Sequence, residues 1–139
     1  MKLEIFTVEE ANRLAGEIRP DLGRLVETQR ENDRVKTRID VLRLAAAGAS
    51  PSNPDAVELA DLEQRRARLA DRISRGVAGI HRRGGLVKDL DRGLVDFYAL
   101  AGDRLVFLCW KMDEVEILHW HTLEGGFANR QPLKRAELE

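Results

Sequence analysis

The feature that most constrains this chain is a change of hydrophobic period at Gly84-Gly85. Before it, apolar residues recur at Leu14, Ile18, Leu22, Leu25, Val35, Ile39 and Leu42, with Thr28 and Asn32 filling the middle of the stripe. Steps of three and four put these side chains on one face of an amphipathic, coiled-coil-like helix. After the glycines the apolar runs are short and separated by turn residues, which is the pattern of β-strands. The change predicts an α+β fold, with a long antiparallel helical hairpin followed by a small four-stranded antiparallel meander. We read residues 1–139 as one domain: hairpin over 1–83, meander over 84–124 and an irregular tail over 125–139 whose last residues fray.

Local signals refine the elements. Thr7-x-x-Glu10 is a capping-box pattern, and Phe6 with Ala11 could form a weak hydrophobic staple. The first helix is predicted from about Val8 to Ala47, kinked or restarted at Pro20, which lacks a backbone donor. Gly48 to Pro54 is a loop, and Asp55, Ser52 or Asn53 can cap the second helix. The stripe of that helix is Leu59, Leu62, Leu69, Ile73, Val77 and Ile80, and Arg82-Arg83-Gly84-Gly85 ends it. Gly76 and Gly79 weaken its last turns by roughly 1 kcal/mol each relative to alanine. Strands are predicted at 86–90, 94–98, 104–110 and 115–121, with turns at Asp91-Arg92-Gly93, Ala101-Gly102-Asp103 and Lys111 to Glu114.

Composition excludes several functions. Basic and acidic residues nearly cancel, 23 against 24, which argues against a polyanion-binding tail or a strongly basic nucleic-acid module. At 43% hydrophobic and 34% charged, the chain can support a folded core. No apolar run approaches a membrane span, and the acidic start MKLEIFTVEEA is no secretory signal. A single cysteine permits no intrachain disulfide, so the cytoplasm is the expected compartment.

Several residue blocks resemble a known family. They are Phe6-Thr7-x-x-Glu10-Ala11-x-x-Leu14, Val87-Lys88-Asp89-Leu90-Asp91-x-Gly93-Leu94-Val95-Asp96-Phe97 and Leu108-Cys109-Trp110. Further on come Glu114-x-Glu116-Ile117, Trp120-His121 and Gly126-Phe127-x-x-Arg130-Gln131-Pro132. In order and spacing the chain resembles, over nearly its whole length, a bacterial and archaeal family catalogued as domain of unknown function 2203. The resemblance implies a single domain and carries no activity. One departure is His119, where the family pattern has an aromatic residue.

Four groups of residues could carry chemistry. His119-x-His121 on a strand sets two imidazoles on one face, with Asp96 or Glu124 as a further ligand for a divalent metal. If Trp110 opposes Val115 across the Lys111–Glu114 turn, Cys109 opposes Glu116 and lies on the face away from both histidines. Cys109 then reads as a small buried hydrophobe, and no catalytic residue is assigned. Asp96 in an apolar strand needs a partner, and Arg130, freed by Gly125-Gly126, is the expected one. With Trp110 and His121 these form the candidate ligand-binding group. The alternative is an ion pair that merely pins the tail. Arg65, Arg68, Arg72, Arg75 and Arg82 cover a face of the second helix that could track phosphates. No aromatic lies among them to stack bases, and solvated ion pairs are the plainer outcome.

The leading reading is a homo-oligomeric assembly or protein-partner-binding module, dimerising through a seam of Leu25, Val35, Ile39, Leu42, Leu62, Leu69 and Ile73. The alternative is a small-ligand- or metal-binding protein or enzyme with a polar site on the sheet. Weak nucleic-acid binding through the arginine face is third. No cofactor is expected beyond that metal.

Overall fold

The computed structural model describes residues 3–134. The element order is two helices and then an antiparallel sheet: α1 (Val8–Ala45), α2 (Pro54–Arg82), β1 (Leu86–Asp89), β2 (Leu94–Ala101), β3 (Arg104–Lys111), β4 (His119–His121) and β5 (Gln131–Pro132). The strands lie in the order β1-β2-β3-β4-β5, each antiparallel to its neighbours. The sequence suggested four strands. The fifth comes from the segment read as an irregular tail, where a short 3-10 turn at Phe127–Asn129 brings Gln131 back beside Trp120. The expected fraying of the last residues concerns 135–139, outside the described residues. Among the described residues no helix is long and apolar enough to cross a membrane.

The start of α1 follows its sequence signal. Thr7 donates its backbone N–H to Glu10 Oε1 at 2.9 Å, and Glu10 N–H donates to Thr7 Oγ1 at 3.1 Å. That pair holds the Glu10 carboxyl below its ordinary range, chiefly through the Thr7 backbone bond. Pro20 does not end the helix, which continues to Ala45. Four residues back lies Gly16, exposed and without a side chain, so the carbonyl that lost its donor can turn to water. For α2 the cap is Asn53, whose Oδ1 accepts Asp55 N–H at 2.9 Å, and Pro54 takes the first helical position. Gly84, at φ +106°, ends α2; a side chain there would meet the Phe6 ring at 2.5 Å.

The chain forms two compact units, and the division does not follow the change of period. One unit holds the described residues up to Val26 and from Gly76 onward; the other is Glu27–Arg75. In the first, Ala11, Ala15, Ile18 and Leu22 of α1 and Ile80 of α2 pack on one sheet face, formed by Val95, Phe97, Ala99, Val106, Leu108 and Trp110. In the second, Val35, Ile39 and Leu69 make a small core with Leu59 and Leu62 beside them. Arg38 meets Glu58 through two 3.0 Å bonds there, and Arg65 meets Glu31. The residues suggested as an oligomer seam are therefore largely used within the chain. Ile39, Leu42 and Leu69 are almost fully buried, Val35 and Leu25 nearly so, and Leu62 and Ile73 half-buried. The two helices bury the stripes against each other and against the sheet.

Gly76 marks a close helix approach in the first unit. A side chain there would overlap Leu25 Cδ2 and come within 2.9 Å of its Cδ1, whereas at Gly79 the nearest neighbour is an Arg82 nitrogen at 3.7 Å. Gly76→Ala should lower stability by about 1–3 kcal/mol through overpacking. Gly79→Ala should raise it by up to about 1 kcal/mol through helix propensity. Thermal unfolding of the two variants checks this; a gain for both would mean that Leu25 yields freely.

Candidate ligand site on the second face of the sheet

Strand alternation places the site. In β2, Val95, Phe97 and Ala99 face the helices, so Leu94, Asp96 and Tyr98 face the other way. In β3, Val106, Leu108 and Trp110 face the helices, leaving Phe107 and Cys109 on the second face. Asp96 pairs with Cys109 directly across the strands. β4 completes the row: Cys109 pairs with His119, and Phe107 with His121. Asp96 and His121 thus meet over β3, between Cys109 and Phe107.

This register corrects the expected one. Cys109 opposes His119, not Glu116, a shift of three residues. Because three is odd, every β4 side chain changes face, and both histidines join Cys109. The cause lies outside the strands. Arg19 of α1 donates to the carbonyls of Met112 and Glu114, the latter at 3.0 Å, and Asn12 Oδ1 accepts Ile117 N–H at 2.8 Å. Glu114 Oε1 accepts Lys111 N–H at 2.8 Å, and Trp110 Nε1 donates to Glu114 O at 3.0 Å. Residues 112–118 are a loop tied to α1, with Ile117 turned into the core, and pairing resumes only at His119.

Asp96, Cys109 and His121 are each at most 3% exposed. One ligand atom from each lies within 4.8 Å of the others. His121 Nδ1 is 2.7 Å from the Thr122 carbonyl oxygen. A carbonyl only accepts, so Nδ1 carries hydrogen and donates. Nε2 lies 3.0 Å from Asp96 Oδ2 and shares one further proton with it. Burial pushes the Asp96 carboxyl up, opposed by His121 and by hydrogen bonding to Cys109. Burial and the Asp96 charge push the Cys109 thiol up to about 12. Neither imidazole nitrogen is available to the thiol, so nothing in the metal-free site activates it as a nucleophile.

Above these three groups is a cavity of about 160 Å³. Leu94 and Phe107 line it, Lys88 stands at its side, and Leu123, Glu124, Gly126 and Phe127 complete it. Val87 pairs with Val95 and faces the helices, so alternation turns Lys88 to the second face; its Nζ sits 4.5 Å from the Phe107 ring centroid.

The other sequence candidates lie elsewhere. Arg130 does not meet Asp96. It donates to both Glu114 oxygens, at 2.7 and 2.9 Å, and lies over the Phe127 ring at 4.7 Å. The displaced register puts Glu114 within its reach and leaves Asp96 to His121. Trp110 faces the helices, with Arg19 4.9 Å from its ring centroid, and is absent from the cavity. His119 shares the face of His121, but its Nδ1 turns towards Glu114, 3.6 Å away. Of the helix 2 arginines, Arg65 pairs with Glu31 and Arg75 with Asp71, while Arg68, Arg72 and Arg82 are exposed. Sequence reasoning missed Cys109, Lys88, Phe107 and Phe127 as members of the site. Asp96 and Cys109, each set among apolar residues of its own strand, were the available signal.

The buried thiol, its ionisation disfavoured, has a direct consequence. In metal-free protein at pH 8, Cys109 should react with a disulfide reagent at the rate of unfolding, far slower than a free thiol. Absorbance of the released thiolate measures this; stoichiometric labelling within the mixing time would show the thiol to be accessible and ionised.

The chain matches the model of a family described as uncharacterized conserved protein (DUF2203) over residues 4–133. No curated protein and no solved structure matches it. With nearly all of its length matched, the chain belongs to the DUF2203 family.

Proposed function

We propose that this protein binds a small polar ligand in the cavity on the second face of its sheet. One observation carries the reading: Asp96, Cys109 and His121, from three strands, converge and line the floor of one cavity. Burying ionisable groups is costly, and an apolar sheet face would be more stable with aliphatic residues there. Convergent polar groups at the floor of a mostly apolar cavity are what ligand sites have in common. A cavity of about 160 Å³ restricts the ligand to a small molecule. Lys88 supplies a cation at the wall and favours a ligand with an acceptor or anionic end. The lone cysteine, held as a free thiol, suits a reducing compartment and supports a cytoplasmic setting.

Ring signals of His121 in isotope-labelled, metal-free protein test the reading. A panel of short carboxylates, amides and alcohols should include a class that shifts them saturably. Lys88→Gln should weaken the binding of carboxylates about tenfold, the loss of one charge-assisted bond. A panel that leaves the His121 signals unmoved would overturn the reading.

Self-association is a second reading, supported by Leu44, which is 84% exposed, and by Val41 and Val57, about half exposed, in the second unit. A second copy would use this surface, since the helical seam is buried within the chain. Light scattering across micromolar concentrations should then give a dimer that Leu44→Lys disperses. A wild-type monomer throughout that range would remove this reading.

A further inference from the structure

We propose that Asp96, Cys109 and His121 are the three protein ligands of a divalent metal ion of the zinc type, with its fourth position open to the cavity. The inference deepens the proposed function and rests on the same cavity being a binding site.

Three features of the group favour a metal over a structural hydrogen-bond network. The first is the donor set. One imidazole nitrogen, one carboxylate oxygen and one sulfur form a mixed set that suits zinc, cobalt or ferrous iron and excludes calcium and magnesium, which take oxygen ligands. The second is the orientation of His121. Its Nδ1–H donates to the Thr122 carbonyl at 2.7 Å, which fixes the ring and aims Nε2 at Asp96. A metal-bound histidine is held in this way, with its second nitrogen tied to a backbone carbonyl or carboxylate. The third is spacing. The three ligand atoms lie within 4.8 Å of one another, with Nε2 and Oδ2 3.0 Å apart. Bonds of about 2.0–2.3 Å from a common centre need only small side-chain rotations from there.

The metal-free arrangement explains itself on this reading. The proton shared by Asp96 and His121 occupies the place the ion would take. Metal binding replaces that proton and the thiol proton of Cys109, since a coordinating sulfur is a thiolate. Structural zinc sites have four protein ligands; a site with three and an open position is the kind that binds water or a small molecule. Here the open position faces Lys88 and Glu124, which would act on whatever occupies it. His119, the other half of the pair suggested by the sequence, is not among the residues whose ligand atoms converge.

The test is titration of chelator-treated full chain with cobalt(II) and, separately, with cadmium-113. One equivalent of cobalt should produce a near-ultraviolet sulfur-to-metal charge-transfer band together with strong four-coordinate visible bands. Cadmium-113 resonance of the wild-type protein should show one site shifted as for a single thiolate, a readout that needs no variant. Cys109→Ser should abolish the charge-transfer band. His121→Ala should lower affinity by about a hundredfold or more, and His119→Ala should leave it within about threefold. Absence of the sulfur band and of a thiolate-shifted cadmium signal in the wild type would overturn the proposal. So would a loss in His119→Ala as large as that in His121→Ala. Small-molecule shifts of His121 in metal-free protein would survive such a failure, and the ligand reading would then stand without the metal.

Discussion

The site depends on how the loop between β3 and β4 is held. Arg19 of α1 holds the carbonyls of Met112 and Glu114, and Asn12 takes up the Ile117 N–H that a tight hairpin would have left to the strand. The chain therefore rejoins the sheet three residues later than a short turn allows. Strand side chains alternate, so this odd displacement decides which face His121 occupies. With the shorter turn, His121 would lie against the helices and Asp96 would lose its imidazole partner. The same loop carries Glu114 to Arg130, which anchors the segment leading into β5.

The two faces of the sheet divide the energetic work. The helix-facing side is an apolar core in which Trp110, Phe97, Ile18 and Leu22 are essentially inaccessible to solvent. Burial there, at about 25 cal/mol per Å² of apolar surface, is the main source of stability. The second face is as deeply buried at its centre but is polar, and a short irregular segment covers it where a helix might have. That cover is less well packed, and its gap is the cavity. The main core and the candidate site thus lie on opposite sides of the same two strands, β2 and β3.

The helical hairpin illustrates a related point. Its apolar stripes resemble those of a bundle seeking a second copy, yet each helix uses its stripe twice. Near the sheet, α1 presents Ile18 and Leu22 to β2 and β3; farther on, Val35 and Ile39 of the same helix meet Leu69 of α2. One continuous stripe so serves two compact units. An excess of apolar seam over what one chain can bury cannot be judged from periodicity, because the partner surface is invisible to it.

Local signals were fully legible in the residues. The change of period, the Thr7–Glu10 cap, the glycine turns and the alternation that hides Val95 and Phe97 depend on neighbours within a few positions, and the α+β architecture follows from them. Asp96 was legible as a residue in need of a partner, and His121 as a polar group on a strand. Their pairing was not. It required Arg19 and Asn12, about a hundred positions away, to lengthen one loop, and it required Arg130 to be engaged by Glu114. Short-range chemistry sets each element and its period. The register between elements is a competition among distant hydrogen bonds, and only the folded chain decides which of them are made.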